Sequence, residues 1–252
     1  GGKRSGSLSM VLGQIGFKVH LIEGGYKAFR AAVMQDTVQC VSRLQFRVIS
    51  GPTGSGKTRL LHVLANQGAQ VLDLEDLAQH RSSVLGHLPG QPQPSQKRFD
   101  TLVWQKLRSF DANRPVFVES ESRKVGNVAI PESLMLAMRD SPCYELQLSL
   151  EERVALLMED YPFFVSDSDL FCHRLAALTT LRGKELVHTW QQHVQQGQTE
   201  QVVRELLQVH YDPTYASSMK RNFTSSVAMK VLSADDRSEN SLKKIAHQLL
   251  SE

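Results

Sequence analysis

Apolar positions along the chain alternate between two periods. The runs Phe46-Arg47-Val48-Ile49-Ser50, Gln70-Val71-Leu72-Asp73-Leu74 and Pro115-Val116-Phe117-Val118 are near-continuous, as in strands buried on both faces. Cys143-Tyr144-Glu145-Leu146-Gln147-Leu148 alternates as a further strand, and another is expected over 226–231. Between these runs the spacing turns helical. Leu60, Leu61 and Leu64 form one stripe, and Phe99, Leu102, Val103, Leu107 and Phe110 form another that opens at Ser95. Pro131 suits the first turn of a helix through Leu134, Leu136 and Met138, and Ser149-Leu150-Glu151-Glu152 is a capping box that starts the next. Strands alternating with helices predict an α/β fold with a parallel sheet and flanking helices. From 167 to about 208 the pattern is helical, with turns near Leu181-Arg182-Gly183 and Gln196-Gly197. Tyr211-Asp212-Pro213-Thr214-Tyr215 predicts a sharp stop, followed by a helix bearing Lys220 and Arg221 and a final amphipathic helix with Leu242, Ile245 and Leu249.

The start of the chain reads as a separate unit, from 1 to about 32. Leu8, Val11, Leu12 and Ile15 predict a helix over 7–16, Lys18-Val19-His20-Leu21-Ile22 a short strand, and Glu23-Gly24-Gly25-Tyr26 a turn into a second helix. Such a piece is too small to close a core, so it either docks on the rest or is the tail of a domain that begins upstream. Residues 33–45 are expected to be a linker, 46–232 the main domain and 233–252 a C-terminal helix.

The 252 residues carry a formal charge of +3, which permits a polyanionic partner without demanding one. No apolar run approaches the about 18 residues of a membrane span. Cys40, Cys143 and Cys172 are an odd count without metal-ligand or CxxC spacing, so no disulfide partner is expected and the protein reads as reduced and cytoplasmic. The chain opens without Met inside a Gly-rich loop, and is expected to be part of a longer one.

Chemistry concentrates at Gly51-Pro52-Thr53-Gly54-Ser55-Gly56-Lys57-Thr58, placed between a predicted strand and a predicted helix. This is G-x-x-x-x-G-K-[ST]: glycines let successive N–H groups face an oxyanion, Lys57 reaches the outer phosphate oxygens, and the Thr58 hydroxyl is offered to Mg2+. The fold expectation is therefore a P-loop NTPase-like sheet. Asp73, at the end of the second strand, either reaches that magnesium ion or caps the following helix. Glu119 and Glu121 follow the third strand, where a carboxylate orients a hydrated metal or activates a nucleophile. Gly86 to Gln93 forms a loop expected over the site, and Arg153 is either a lid arginine or a surface ion pair.

Two sets of motifs resemble one family. Gly1-Gly2-x-Arg4-Ser5, a helix, and a strand ending in Glu23-Gly24-Gly25-Tyr26-Lys27-Ala28 resemble the last third of a rhodanese domain. The phosphate loop, then Asp73 through Arg81-Ser82-Ser83, Gln93-Pro94-Ser95-Gln96-x-x-Phe99, Glu119-Ser120-Glu121-Ser122-Arg123-x-x-Gly126 and Tyr211-Asp212-Pro213-x-Tyr215 resemble, in order, the nucleotide-loop domain of the tRNA 2-selenouridine synthase family. Ser83 departs from the Gly expected near that position. The resemblance implies a transferase acting on the wobble uridine in the anticodon of tRNA, using geranyl diphosphate to geranylate 2-thiouridine and selenophosphate to convert it to 2-selenouridine. It places a catalytic cysteine just before Gly1, so selenium transfer by these residues alone is not expected. It also leaves the phosphate loop a choice between prenyl diphosphate and a nucleotide such as ATP or GTP. Arg81, Arg123 and Lys124 become candidates for contact with tRNA or substrate. Two rivals remain: an ATP-dependent small-molecule or nucleoside kinase, and a non-catalytic, nucleotide-gated tRNA-binding module.

Overall fold

The computed structural model describes residues 2–81, 92–222 and 229–252, apart from the side chains of Phe163 and of 220–222. Its centre is a five-stranded, all-parallel sheet built from β1 (Phe46–Ser50), β2 (Gln70–Leu72), β3 (Val116–Glu119), β6 (Cys143–Gln147) and β7 (Met229–Ser233), ordered β2-β3-β1-β6-β7. A small antiparallel hairpin, β4 (Lys124–Val125) with β5 (Val128–Ala129), follows β3. Alternation along the strands distributes side chains to two buried faces. Val48, Val116, Val118 and Cys143 join one cluster with Cys40, Val41, Phe99, Val103, Leu107, Leu134 and Met138. Ile49, Phe117, Tyr144 and Leu146 join another with Leu60, Leu61, Leu64, Leu242, Ile245 and Leu249. The helices on the first face are Gly25–Arg43, Gln96–Arg108 and Glu132–Arg139; on the second they are Lys57–Asn66 and Glu239–Leu250.

A third apolar cluster, centred on Phe171, Leu175, Trp190, Val194, Val202 and Leu206, holds together the helices between Leu150 and Tyr211. Within it the indole of Trp190 is satisfied, its Nε1–H donating to Glu205 at 2.8 Å.

Four expectations change. The strand over 18–22 does not form: residues 17–22 have no ladder partner among the described residues, and a strand exists only by pairing. The preceding helix is Lys3–Gln14, and Leu8, Met10 and Val11 on it, with Ile15 at its C-cap, are exposed. The expected linker 33–45 is the second half of the unbroken helix Gly25–Arg43, which buries Val33, Thr37, Cys40 and Val41 against the sheet. The stop expected at 211–215 is a π-helical turn, Leu207–Tyr211, running straight into the helix Asp212–Asn222. Pro213 directly follows this widened turn, whose extra residue takes up the break in the i to i−4 ladder that a ring without an N–H imposes, so it does not end the helical run. Most of the expected loop over the site, 86–93, lies outside the described residues, as do Ser83 and the start of the strand expected over 226–231.

Candidate functional site

The connection leaving β1 runs to β2 on one side of the sheet, while that leaving β3 runs to β6 on the other, so β1 and β3 flank a topological switch point. Open parallel sheets bind ligands at the carboxyl ends of such strands. There the chain forms a cleft of about 810 Å3. The phosphate loop leaves β1 with Gly51 at φ 148°, where a Cβ would lie 2.5 Å from Ser55 Oγ and 2.6 Å from the Leu146 carbonyl. Gly54, at φ 79°, packs so closely that a Cβ would stand 3.1 Å from the Arg153 carbonyl oxygen. The helix Lys57–Asn66 begins directly after Gly56 and aims its free N–H groups into the cleft. Lys57 Nζ is held over the loop, donating to the Gly51 carbonyl at 2.7 Å and the Pro52 carbonyl at 3.3 Å. Gly51, Thr53, Gly54, Gly56, Lys57 and Thr58 line the cleft; Pro52 and Ser55 complete the loop, the Ser55 N–H donating to the Pro52 carbonyl.

Glu119, at the end of β3, is 2 % exposed and lies beside Thr58 and Lys57. Burial first, then the neighbouring Glu75 and Glu121 charges, push its carboxyl well above the usual range; Lys57 and the Thr58 hydroxyl pull the other way without prevailing. Its Oε1 is buried with no hydrogen-bond partner, and so is Ser55 Oγ. Glu75, Glu119 and Glu121 bring carboxylate oxygens within 4.8 Å of one another. An all-oxygen set with one orphaned carboxylate atom fits a hard divalent cation, Mg2+ above all in a phosphate site.

Asp73 is the N-cap of the helix Leu74–Ala78, accepting from the Asp76 N–H at 2.8 Å, with its other oxygen 3.3 Å from His62 Nε2. Among the described residues it does not join the carboxylate group; Glu75, two residues on, does. Arg81 lines the cleft, its guanidinium 4.6 Å over the Tyr161 ring and donating to the Asp160 carbonyl. Arg123 and Lys124 are exposed on the hairpin side and are not among the residues lining the cleft. Arg153 is no surface residue. It is buried, donating to the Thr53 carbonyl of the phosphate loop at 2.9 Å and, with both terminal nitrogens, to Asp212 at 2.5 and 3.1 Å.

The other wall of the cleft comes from 181–182 and 210–219, including Arg182, His210, Tyr211 and Tyr215. The Tyr215 hydroxyl donates to Glu145 at 3.1 Å, and burial raises its pKa. The motif at 211–215 marked this wall, but Arg182 and His210 gave no signal of their own; turn and helix spacing alone surround them. A narrow apolar recess, lined by Leu157, Met158, Phe164, Phe171, Leu206 and Leu207, meets the cleft at Thr53, Leu157, Tyr161 and Tyr211. The cysteines are all unbonded, and burial raises the Cys143 and Cys172 thiols above their ordinary value, which makes both poor nucleophiles. Among the described residues no helix is long and apolar enough to cross a membrane.

Sheet order, glycine-strained loop and buried acid together define a phosphate-loop α/β protein. Residues 44–176 match the family described as tRNA 2-selenouridine synthase AAA domain. A tRNA 2-selenouridine synthase of Marinobacter nauticus is 39% identical over 164 residues, and one of Nitrosomonas europaea 40% over 164 residues; each match takes in 64% of this chain. The chain covers 43% and 42% of those two proteins, less than half of either. One from Bdellovibrio bacteriovorus is 28% identical over 261 residues, 88% of this chain and 68% of that protein. Among solved structures, a shikimate kinase from Acinetobacter baumannii aligns loosely, at a TM-score of 0.38 and 15% identity over 82% of this chain and 92% of that one. The chain belongs to the tRNA 2-selenouridine synthase family.

Proposed function

We propose that the chain serves modification of the tRNA wobble uridine as a transferase, its phosphate loop gripping the diphosphate of geranyl diphosphate while a 2-thiouridine base attacks the prenyl carbon. One observation carries this choice of ligand: the apolar recess opens beside the loop, at Thr53, where a short hydrocarbon chain attached to a bound diphosphate would lie. A nucleotide has no comparable apolar tail. The recess is narrow, so seating the chain widens it. The amides of Gly54, Gly56, Lys57 and Thr58, with the Lys57 ammonium, stabilise negative charge on the departing pyrophosphate, which is where charge develops as the carbon–oxygen bond breaks. Thr58 with Glu119, Glu121 and Glu75 would hold Mg2+, which neutralises the same group. The thione sulfur forms the new bond to the prenyl carbon as the carbon–oxygen bond to pyrophosphate breaks, the base gives up its ring N3 proton to solvent, and no cysteine of this chain is needed. Conversion to 2-selenouridine from selenophosphate is not assigned to Cys40, Cys143 or Cys172, the first two being buried and the third half-buried. The reading places the protein in the cytoplasm, with tRNA.

The test is mass spectrometry of the wobble nucleoside after incubating thiolated tRNA and geranyl diphosphate with the wild type and with Lys57→Ala. Loss of the geranylated product in the variant supports the reading, and undiminished product rejects it. The carboxylate group favours a second reading, in which ATP or GTP with Mg2+ occupies the loop for phosphoryl transfer or as a conformational switch. In that case hydrolysis of the nucleotide, or its binding without chemistry, would appear with no prenyl donor present.

A further inference from the structure

On the helical wall of the cleft, Arg182 and His210 stand together. Arg182 ends the helix Thr179–Arg182 and donates Nε–H to His210 Nδ1 at 2.9 Å and an Nη2–H to the His210 carbonyl at 3.2 Å. A guanidinium only donates, so Nδ1 accepts, and the proton of the neutral ring sits on Nε2. Burial, with the Arg182 charge beside it, keeps the ring uncharged by lowering its pKa. Nε2 has no hydrogen-bond partner among the described residues, although both side chains line the cleft.

Charge gives the pair its chemistry. Arg59, which lines the same cleft, is matched by Glu159 and Asp160, while Arg81 spends its guanidinium on the Tyr161 ring and the Asp160 carbonyl. Arg182 pairs with no carboxylate among the described residues, and its Nη1 makes no hydrogen bond there. A positive guanidinium without a counter-ion, fixed in direction by two bonds to one residue and flanked by an N–H that can only donate, presents donors and one positive charge to the cleft. That matches a singly charged phosphate diester, whose oxygens only accept.

We propose that Arg182 and His210 bind a backbone phosphate of the RNA strand carrying the acceptor nucleoside, while the phosphate loop holds the diphosphate donor. This rests on the tRNA reading above. A free phosphate or the diphosphate itself has the same recognition chemistry, so the test separates the sources. Anisotropy of a labelled anticodon stem-loop RNA is titrated over a range of salt with the wild type, Arg182→Gln and Arg182→Lys, alongside calorimetry with pyrophosphate. The expectation for Arg182→Gln is RNA affinity lower by about tenfold and a log–log salt slope smaller by about 1, with pyrophosphate affinity unchanged. Arg182→Lys, which keeps the charge and threatens the fold less, retains the slope but binds more weakly because the fork is gone. Equal RNA affinity and slope in wild type and Arg182→Gln overturn the inference and leave the tRNA reading standing. Pyrophosphate affinity that falls in step assigns Arg182 to the donor instead and also overturns it. A wild-type chain that binds no RNA sinks the tRNA reading, and this inference with it.

Discussion

The cleft has two walls built on opposite principles. The sheet wall is made of backbone: strand ends and a glycine loop, each position fixed by ladder hydrogen bonds, with Glu119 at the tip of β3 and the phosphate loop at the tip of β1. The helical wall is made of side-chain packing around Phe171, Trp190 and Leu206, and its polar groups arrive by the rotation of helices and a π turn. The first wall holds its shape through covalent geometry and main-chain bonds. The second holds it through a few long side chains, so single substitutions should uncouple it without touching the sheet.

The largest effect is expected where the walls join. Arg153→Ala removes a buried guanidinium that binds both Thr53 and Asp212, and should cost about 3 kcal/mol, the low end for a buried pair because Asp212 is part-exposed. A thermal melt would check this; a change below about 1 kcal/mol would mean the walls stand independently. Next comes Lys57→Ala, which should weaken pyrophosphate binding by roughly a hundredfold while leaving the melt near wild type, because its bonds run to loop carbonyls alone. If calorimetry gives equal affinities, the loop does not bind through this ammonium.

A third prediction concerns pH. The folded state raises the Glu119 pKa above its unfolded value of 4.5, so the protonated acid is the form the fold favours. Its stabilising contribution is complete below about pH 4.5 and drains away as pH rises through the elevated folded value. In chelator, Glu119→Gln should therefore be the more stable protein at pH 8, and lose that advantage at low pH. Mg2+ should reverse the order at pH 8 by stabilising only the wild-type carboxylate. Melts with and without Mg2+ at the two pH values would decide it; a wild type indifferent to pH and metal would remove Glu119 from any metal site. The smallest effect is expected for Tyr215→Phe, which gives up one bond to Glu145 and should cost about 1 kcal/mol.

The contrast also explains what could be read ahead of the structure. The phosphate loop, the strand runs and Glu119 were legible because a parallel sheet writes its topology as apolar runs and puts chemistry immediately after them. Asp73 carried two meanings, metal ligand or cap, and local sequence cannot separate them; the cap bond to Asp76 and the placement of Glu75 depend on how the helix Leu74–Ala78 is turned. Arg182 and His210 lie 28 residues apart on separate helices, and nothing but packing makes them neighbours. The strand expected over 18–22 shows the converse, since an alternating apolar segment forms no strand without an edge to pair with. At 207–213, proline read as a terminator was accommodated by one widened turn.

The guanidinium of Arg153 acts as a gauge block. Its planar fork is rigid, with Nε–H seated on the loop and both terminal nitrogens on the opposite helix, so one side chain sets the spacing of the two at this point. Loop and helix tied together in this way keep the donor end and the far wall in one register, so that two groups brought in by different molecules meet at a constant offset.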